Sequence, residues 1–419
     1  MRLAILTNQF PATVSTFFAR DLRALIEAGV DVEVFAIYPR DDSLWQFVPH
    51  ILDEKILPRE KVHHITIGQS LLKGFPTFIS NAPWLIKESL RISLESIRYG
   101  LKPLAYSLYI VPKALAWAAE MDRFDQILAY WGNYAATCAY LASGLSKKRV
   151  PYSIFLHAGT DLYRDRIFLK TKLLQAKTIV TCSDFNQGYI LEQYPDQADV
   201  LREKIHVYHH GLDFSELPFT ETGRVSNRIL AVGRLADKKG FDYVIKSGAE
   251  LVRRGVNVEV ELIGDGPEAE NLRALAQDLN IADRVVFRGW QPFDQVRDAM
   301  LRATVLVHPS TGLGDGVPNV IKEAMAVGMP VVSTRVAGIP EALDHGRAGM
   351  LVSPNDVNEV ADAIQVLLQN PAKRMEIAQA AQQHVRKKYD LWRNGQLLVD
   401  RLTQAAAPER QAEVFRPST

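Results

Sequence analysis

Short apolar, β-rich runs alternate with longer stretches of helical period from the first residues onward: Leu3–Leu6, a helix over 15–28, then Val32–Ile37. A strand that leads through a helix into another strand returns on the same side of its sheet, so the pattern demands parallel pairing. The rhythm continues with strands expected at Ile127–Tyr130, Ser153–Leu156, Thr178–Thr181 and Ile205–Tyr208. After a stretch containing Pro218, Gly223 and several charges it resumes at Ile229–Val232, Val258–Ile263, Val285–Phe287, Val305–Val307, Val331–Ser333 and Met350–Val352. The segments 127–130, 153–156, 178–181 and 205–208 read as strands buried on both faces. The expected fold class is α/β, with two doubly wound domains facing a central cleft. The boundaries fall at 1–213 for the first domain, 214–227 for a linker and 228–385 for the second. A terminal helix over 386–404 returns to the first domain, and a frayed tail covers 405–419. A chain of 419 residues suits two such cores. Sheets of this kind bind ligands outside the carboxyl ends of their strands, which puts the site in the cleft.

Other features narrow the class. A net charge of +1 gives no global attraction to nucleic acid, so no nucleic-acid partner is expected. The two cysteines, Cys138 and Cys182, sit in apolar stretches and fit buried thiols of a reducing compartment. The apolar run after Met1 is too short for a signal peptide, and no later stretch reaches the uninterrupted apolar length of a membrane helix, so a cytoplasmic location is expected. The segment 65–121 breaks the alternation, being nearly all of helical period. Its apolar residues, among them Leu71, Leu72, Phe75, Ile79 and Ile86, are interspersed with Lys73, Lys87, Arg91, Arg98, Lys102 and Lys113. A helical hairpin packed on the first domain is the default reading, and contact with an anionic membrane surface is the alternative.

The strongest local signal is Val232-Gly-Arg-Leu-Ala-Asp-Lys-Lys-Gly240, a strand end followed by a glycine-bearing turn. It sets Arg234 and Lys239 at the mouth of the next helix, where two cations suit a diphosphate. A second segment, Pro309 to Met325, is a glycine-rich loop leading into a helix. Gly316, Val317, Pro318 and Asn319 are expected to form the first turn, whose free amides carry a partial charge of about half a unit. Asp315 before that helix and Glu323 within it are spaced to reach one ligand, and carboxylates accept hydrogen bonds from sugar hydroxyls. Each taken alone also reads as an N-cap or a surface helix residue.

These residues resemble the retaining glycosyltransferases of family four, which have the GT-B fold of two Rossmann-like domains. That family carries Glu, seven residues, Glu; here the pattern reads Asp315, seven residues, Glu323. Gly233-Arg234 with Lys239-Gly240, Ile263-Gly-Asp-Gly-Pro267, Pro309-Ser310, Gly316 to Met325, and Gly328 to Val332 followed by Gly338 and Glu341 all fall in family order. Phe10-Pro11, Thr16-Phe17, His157-Ala158 and Asp161 look most like the branch that builds colanic acid and similar exopolysaccharides.

The resemblance implies that Arg234 and Lys239 hold the donor diphosphate, Glu323 the ribose and Asp315 the sugar hydroxyls. Gly233, Gly264, Gly316, Val317, Pro318 and Asn319 complete the donor site, and His157 lies beneath the reacting centre. It further implies a UDP- or GDP-sugar donor, no other cofactor, no metal, and retention of configuration. The implied acceptor is a saccharide or lipid-linked saccharide at the inner face of the cytoplasmic membrane. Two departures stand out. Asp315 is one methylene shorter than the family glutamate, so its carboxylate should sit back. Val14 and Ser15 stand where the branch often has Ser and Glu, which leaves acceptor contacts there open. Rival readings on the same architecture are a nucleotide-sugar epimerase or hydrolase and a noncatalytic nucleotide-sugar-binding subunit. A dehydrogenase is disfavoured, because no Gly-x-Gly-x-x-Gly follows the first strand.

Overall fold

The computed structural model describes residues 1–12, 16–47, 52–164, 166–220 and 222–407. The first sheet has seven parallel strands: β1 (Arg2–Thr7), β2 (Asp31–Ala36), β3 (Val62–His63), β4 (Gln126–Ala129), β5 (Tyr152–Leu156), β6 (Ile179–Thr181) and β7 (Ile205–Val207). Their order is β3-β2-β1-β4-β5-β6-β7. The second sheet has six: β8 (Arg228–Val232), β9 (Glu259–Ile263), β10 (Val285–Phe287), β11 (Val305–His308), β12 (Val331–Thr334) and β13 (Met350–Val352), in the order β10-β9-β8-β11-β12-β13. Every expected strand is present within a residue or two. The two-residue β3 is additional, and its brevity leaves no periodicity to read.

Each sheet is covered on both faces. Along β1, Leu3 and Ile5 join one apolar layer with Phe18, Leu22, Val32 and Val34, while Ala4 and Leu6 join the opposite layer with Phe35 and Trp117. The second sheet repeats this, with Ile229 and Ala231 on one side and Leu230 on the other. Successive side chains of a strand point to opposite faces, so cover on both sides buries nearly every position of a central strand such as β1. Burying each such side chain contributes about 1.5–3 kcal/mol.

In both sheets the chain winds outward from one central strand, then returns to that strand's other side, reversing direction between β1 and β4 and between β8 and β11. Loops diverge at such a reversal and leave a crevice at the carboxyl ends. The helices Ile67–Ser96 and Leu101–Met121 form the hairpin expected over 65–121. A capping box at Thr66 and Gln69 starts the first of them.

Two residues of the stretch between the domains tie it to the second one. Leu217 is fully buried, and the Arg224 guanidinium donates to the carbonyls of Met300, Ala303, Thr220 and Val327, which fixes the segment to the second sheet's helices. The helix Leu391–Ala406 runs back onto the first sheet's side, burying Leu398 and Leu402 beside Leu3 and Ile5 and setting Gly395 against Ala24. The two crossings between the sheets lie side by side: Leu212 N donates to Tyr389 O at 2.8 Å, and Leu391 N to Leu212 O at 3.1 Å.

Candidate active site

The carboxyl ends of β5 and β11 face each other. A Cβ on Gly316 would lie 2.6 Å from Ala158 Cβ, so only glycine lets the loop after β11 approach the loop after β5 this closely. Around this contact stand most of the residues singled out from the sequence.

On the second sheet's side, Gly233 follows β8 and Gly264 follows β9. Gly264 has φ +140°, and a Cβ there would meet Gly233 O at 1.8 Å, so the two turns pack backbone on backbone. Arg234 is exposed, and Lys239 is half-buried at the end of a short 3-10 turn. Lys239 Nζ donates to Asp315 Oδ1. The other oxygen, Oδ2, lies 2.6 Å from His308 Nε2 and accepts from Ser310 Oγ at 2.5 Å. Burial by itself would raise the Asp315 carboxyl. Lys239 and His308 outweigh it and hold the group well below the usual carboxylate range. Its two oxygens are occupied by protein donors.

The start of the following helix needs a correction. The helix runs Asn319–Ala326 with Pro318 as its N-cap at ψ 131°, so Gly316 and Val317 precede it and do not form its first turn. The ring of Pro318 disfavours helical backbone at Val317, which delays the helix. The free amides therefore begin at Asn319. Glu323, inside this helix, is buried and accepts from Arg20 NH1 at 2.9 Å, a bond that joins residues 303 apart in sequence across the cleft. Asp315 and Glu323 thus turn to different partners.

His157 lies at the end of β5, buried, with Phe155 stacked at 4.4 Å and Trp131 and Tyr130 at 4.5 and 4.9 Å. Both its ring nitrogens are without a hydrogen-bond partner among the described residues. Burial, with His210 adding to it, depresses its pKa well below the ordinary histidine value, so the ring is neutral at pH 7. Asp161 accepts the backbone N–H of His157 at 3.0 Å and of Gly132 at 3.1 Å, and burial pushes its pKa up to about 7.

Several neighbours escaped the reading of the sequence. His210 lies parallel to His157 at 5.1 Å, with its Nδ1 2.8 Å from Asp21 Oδ2. Lys322 donates to His210 O at 2.8 Å. Glu341, quoted in the motif without a role, accepts Asp184 N and Lys388 Nζ, each at 2.8 Å. Arg20 and Asp21 did leave a signal, as a charged pair among the apolar positions of the helix Thr16–Glu27, where both are buried. Val14 and Ser15 lie outside the described residues, as does the tail from 408.

Comparison with known proteins decides the class. Residues 226–370 match the model of the glycosyl transferases group 1 family. The amylovoran biosynthesis glycosyltransferase AmsK of Erwinia amylovora is 26% identical over 407 residues, which covers 93% of this chain and 96% of that one. The chain is a glycosyltransferase, and its second domain is similar to the group 1 family.

The putative colanic acid biosynthesis glycosyltransferase WcaL of Escherichia coli K12 is likewise 26% identical to it, across 87% of this chain and 90% of the relative. Among solved structures, Anabaena HepE in complex with UDP superposes with a TM-score of 0.71 at 19% identity, covering 96% of this chain and all of that one. The GT-B fold expected for this glycosyltransferase is therefore the observed one. No helix among the described residues is long and apolar enough to cross a membrane.

Proposed function

We propose that this glycosyltransferase moves a hexose from a UDP- or GDP-sugar, with retention of configuration, onto a saccharide or lipid-linked saccharide. The product belongs to exopolysaccharide or related surface-glycan synthesis, made at the inner face of the cytoplasmic membrane. The names of the relatives AmsK and WcaL support the glycan class, and HepE in complex with UDP makes UDP the first base to test.

The observation that carries the reading is His157. A buried ring whose two nitrogens make no hydrogen bond among the described residues, with Nδ1 3.9 Å from Asp161 Oδ2, at a strand end opposite a glycine-bearing loop, calls for a hydrogen bond from a ligand. A sugar held there meets a polar ring on an aromatic floor. Breaking the bond between the anomeric carbon and the diphosphate builds negative charge on the leaving group. Arg234, Lys239 and the amides from Asn319 onward supply fixed positive charge and dipoles for it without a metal. In this reading Asp315 is a positioning residue that fixes Lys239 and the loop, and Glu323 holds the ribose.

The test is a thermal-shift screen of the purified protein against UDP, GDP and their common sugars, because a ligand bound only to the folded state raises its Tm. One nucleoside diphosphate should raise the Tm, and Arg234→Ala should remove the shift while leaving the unliganded Tm in place. Lys239→Ala should weaken donor binding and turnover together by about tenfold or more. No shift with any donor, or an unchanged shift in Arg234→Ala, overturns the donor-site assignment.

A further inference from the structure

The helix Ile67–Ser96 presents three separate faces. Ser70, Gly74, Leu85, Glu88 and Ile92 are buried against the body of the protein. On a second face Leu71, Leu72, Phe75, Ile79, Ile86 and Leu90 are each at least 59% exposed. At 100° per residue these six fall within an arc of about 100°. The third face, beside the apolar one, carries Lys73, Lys87, Arg91 and, two residues beyond the helix, Arg98. Glu88 and Glu95 are the only acids on the helix; Glu88 is buried, accepting from Arg91 and from Tyr140.

The exposed apolar residues are concentrated here. Of the twenty large hydrophobic side chains described as exposed, twelve lie between Leu71 and Leu108. Between this helix and Leu101–Met121 an apolar crevice of about 550 Å³ opens, walled by Phe75, Phe78, Ile86, Leu90, Val111 and Leu115. Apolar surface this extensive and contiguous marks an interaction site rather than ordinary solvent-facing surface.

We propose that this face docks onto an anionic lipid bilayer. The apolar arc enters the level of the acyl chains, which fill the crevice between the two helices, and the neighbouring basic arc meets the lipid phosphates. Charge complementarity selects this occupant. Arg91 is paired with the buried Glu88, while Lys73, Lys87 and Arg98 stand exposed beside the apolar arc with no exposed acid of that helix among them, which is the arrangement of a helix lying in the membrane plane. A second protein copy meeting the same face would bring two basic arcs together. The proposal does not depend on which donor or acceptor the enzyme uses.

The experiment is co-sedimentation of the full chain with vesicles of phosphatidylcholine alone and of phosphatidylcholine mixed with phosphatidylglycerol. The wild type should pellet with the mixed vesicles, and less as salt is raised. Leu72→Asp with Ile79→Asp should reduce pelleting by about tenfold or more, and Lys73→Gln with Lys87→Gln and Arg98→Gln should do the same while keeping the wild-type Tm. The charge-neutral triple variant, which adds no apolar or acidic group, guards against a folding defect in the first. Failure to pellet with anionic vesicles overturns the proposal. So does equal pelleting with both vesicle types, or a wild-type dimer that Leu72→Asp with Ile79→Asp converts to monomer without altering vesicle binding. Donor-induced thermal shifts, read separately, distinguish loss of this surface from loss of the donor site.

Discussion

Asp315 shows how the partners of a buried carboxylate can outweigh its burial. The carboxylate is saturated by Lys239, His308 and Ser310, and its folded pKa lies below the unfolded value. A group depressed in this way contributes stability above its unfolded pKa, and the contribution is lost as the pH falls toward the folded value. Asp315→Asn should therefore cost about 3 kcal/mol at pH 7, since it leaves a half-buried lysine without its counter-charge. That difference should shrink progressively below about pH 4, where the unfolded aspartate takes up its proton. Urea unfolding of the two proteins at several pH values measures it, and a pH-independent difference would contradict the assignment. The sequence singled out Asp315 by its place in the motif. It did not tell what receives it, because His308 belongs to a strand and Lys239 lies 76 residues upstream.

The elements were the most legible level. Apolar runs bounded by turns announce buried parallel strands, and the βα alternation leaves few ways to pair them. Two things escaped. One was β3, too short to carry a period. The other was the start of the helix at Asn319, where four glycine-loop residues were read as a first turn although Pro318 constrains the residue before it. The terminal helix Leu391–Ala406 illustrates what such elements contribute. Leu402 is fully buried in the first sheet's core, so Leu402→Ala should cost about 2–5 kcal/mol in chemical denaturation. Exposed Leu397, on the same helix, should tolerate alanine with a change of less than about 0.5 kcal/mol.

At the scale of the whole molecule the two halves are tied by buried polar contacts as well as by chain. Arg20 and Glu323 form an ion pair with side chains only 3% and 9% exposed. Arg20→Met should destabilise by roughly 3–5 kcal/mol, because it strands a buried carboxylate. Arg20→Met with Glu323→Met should recover much of that loss in the same unfolding assay, since no charge is then left unpaired. No reading of one sequence finds this pair, because its members lie on different domains and meet only after both have folded. The paired crossings at Leu212 and Leu391 reach further than stability. A lone connection would leave one domain free to swing and twist about a point. Two peptide segments hydrogen-bonded to each other are held in mutual register, so neither crossing can slide or twist past the other without breaking both backbone bonds.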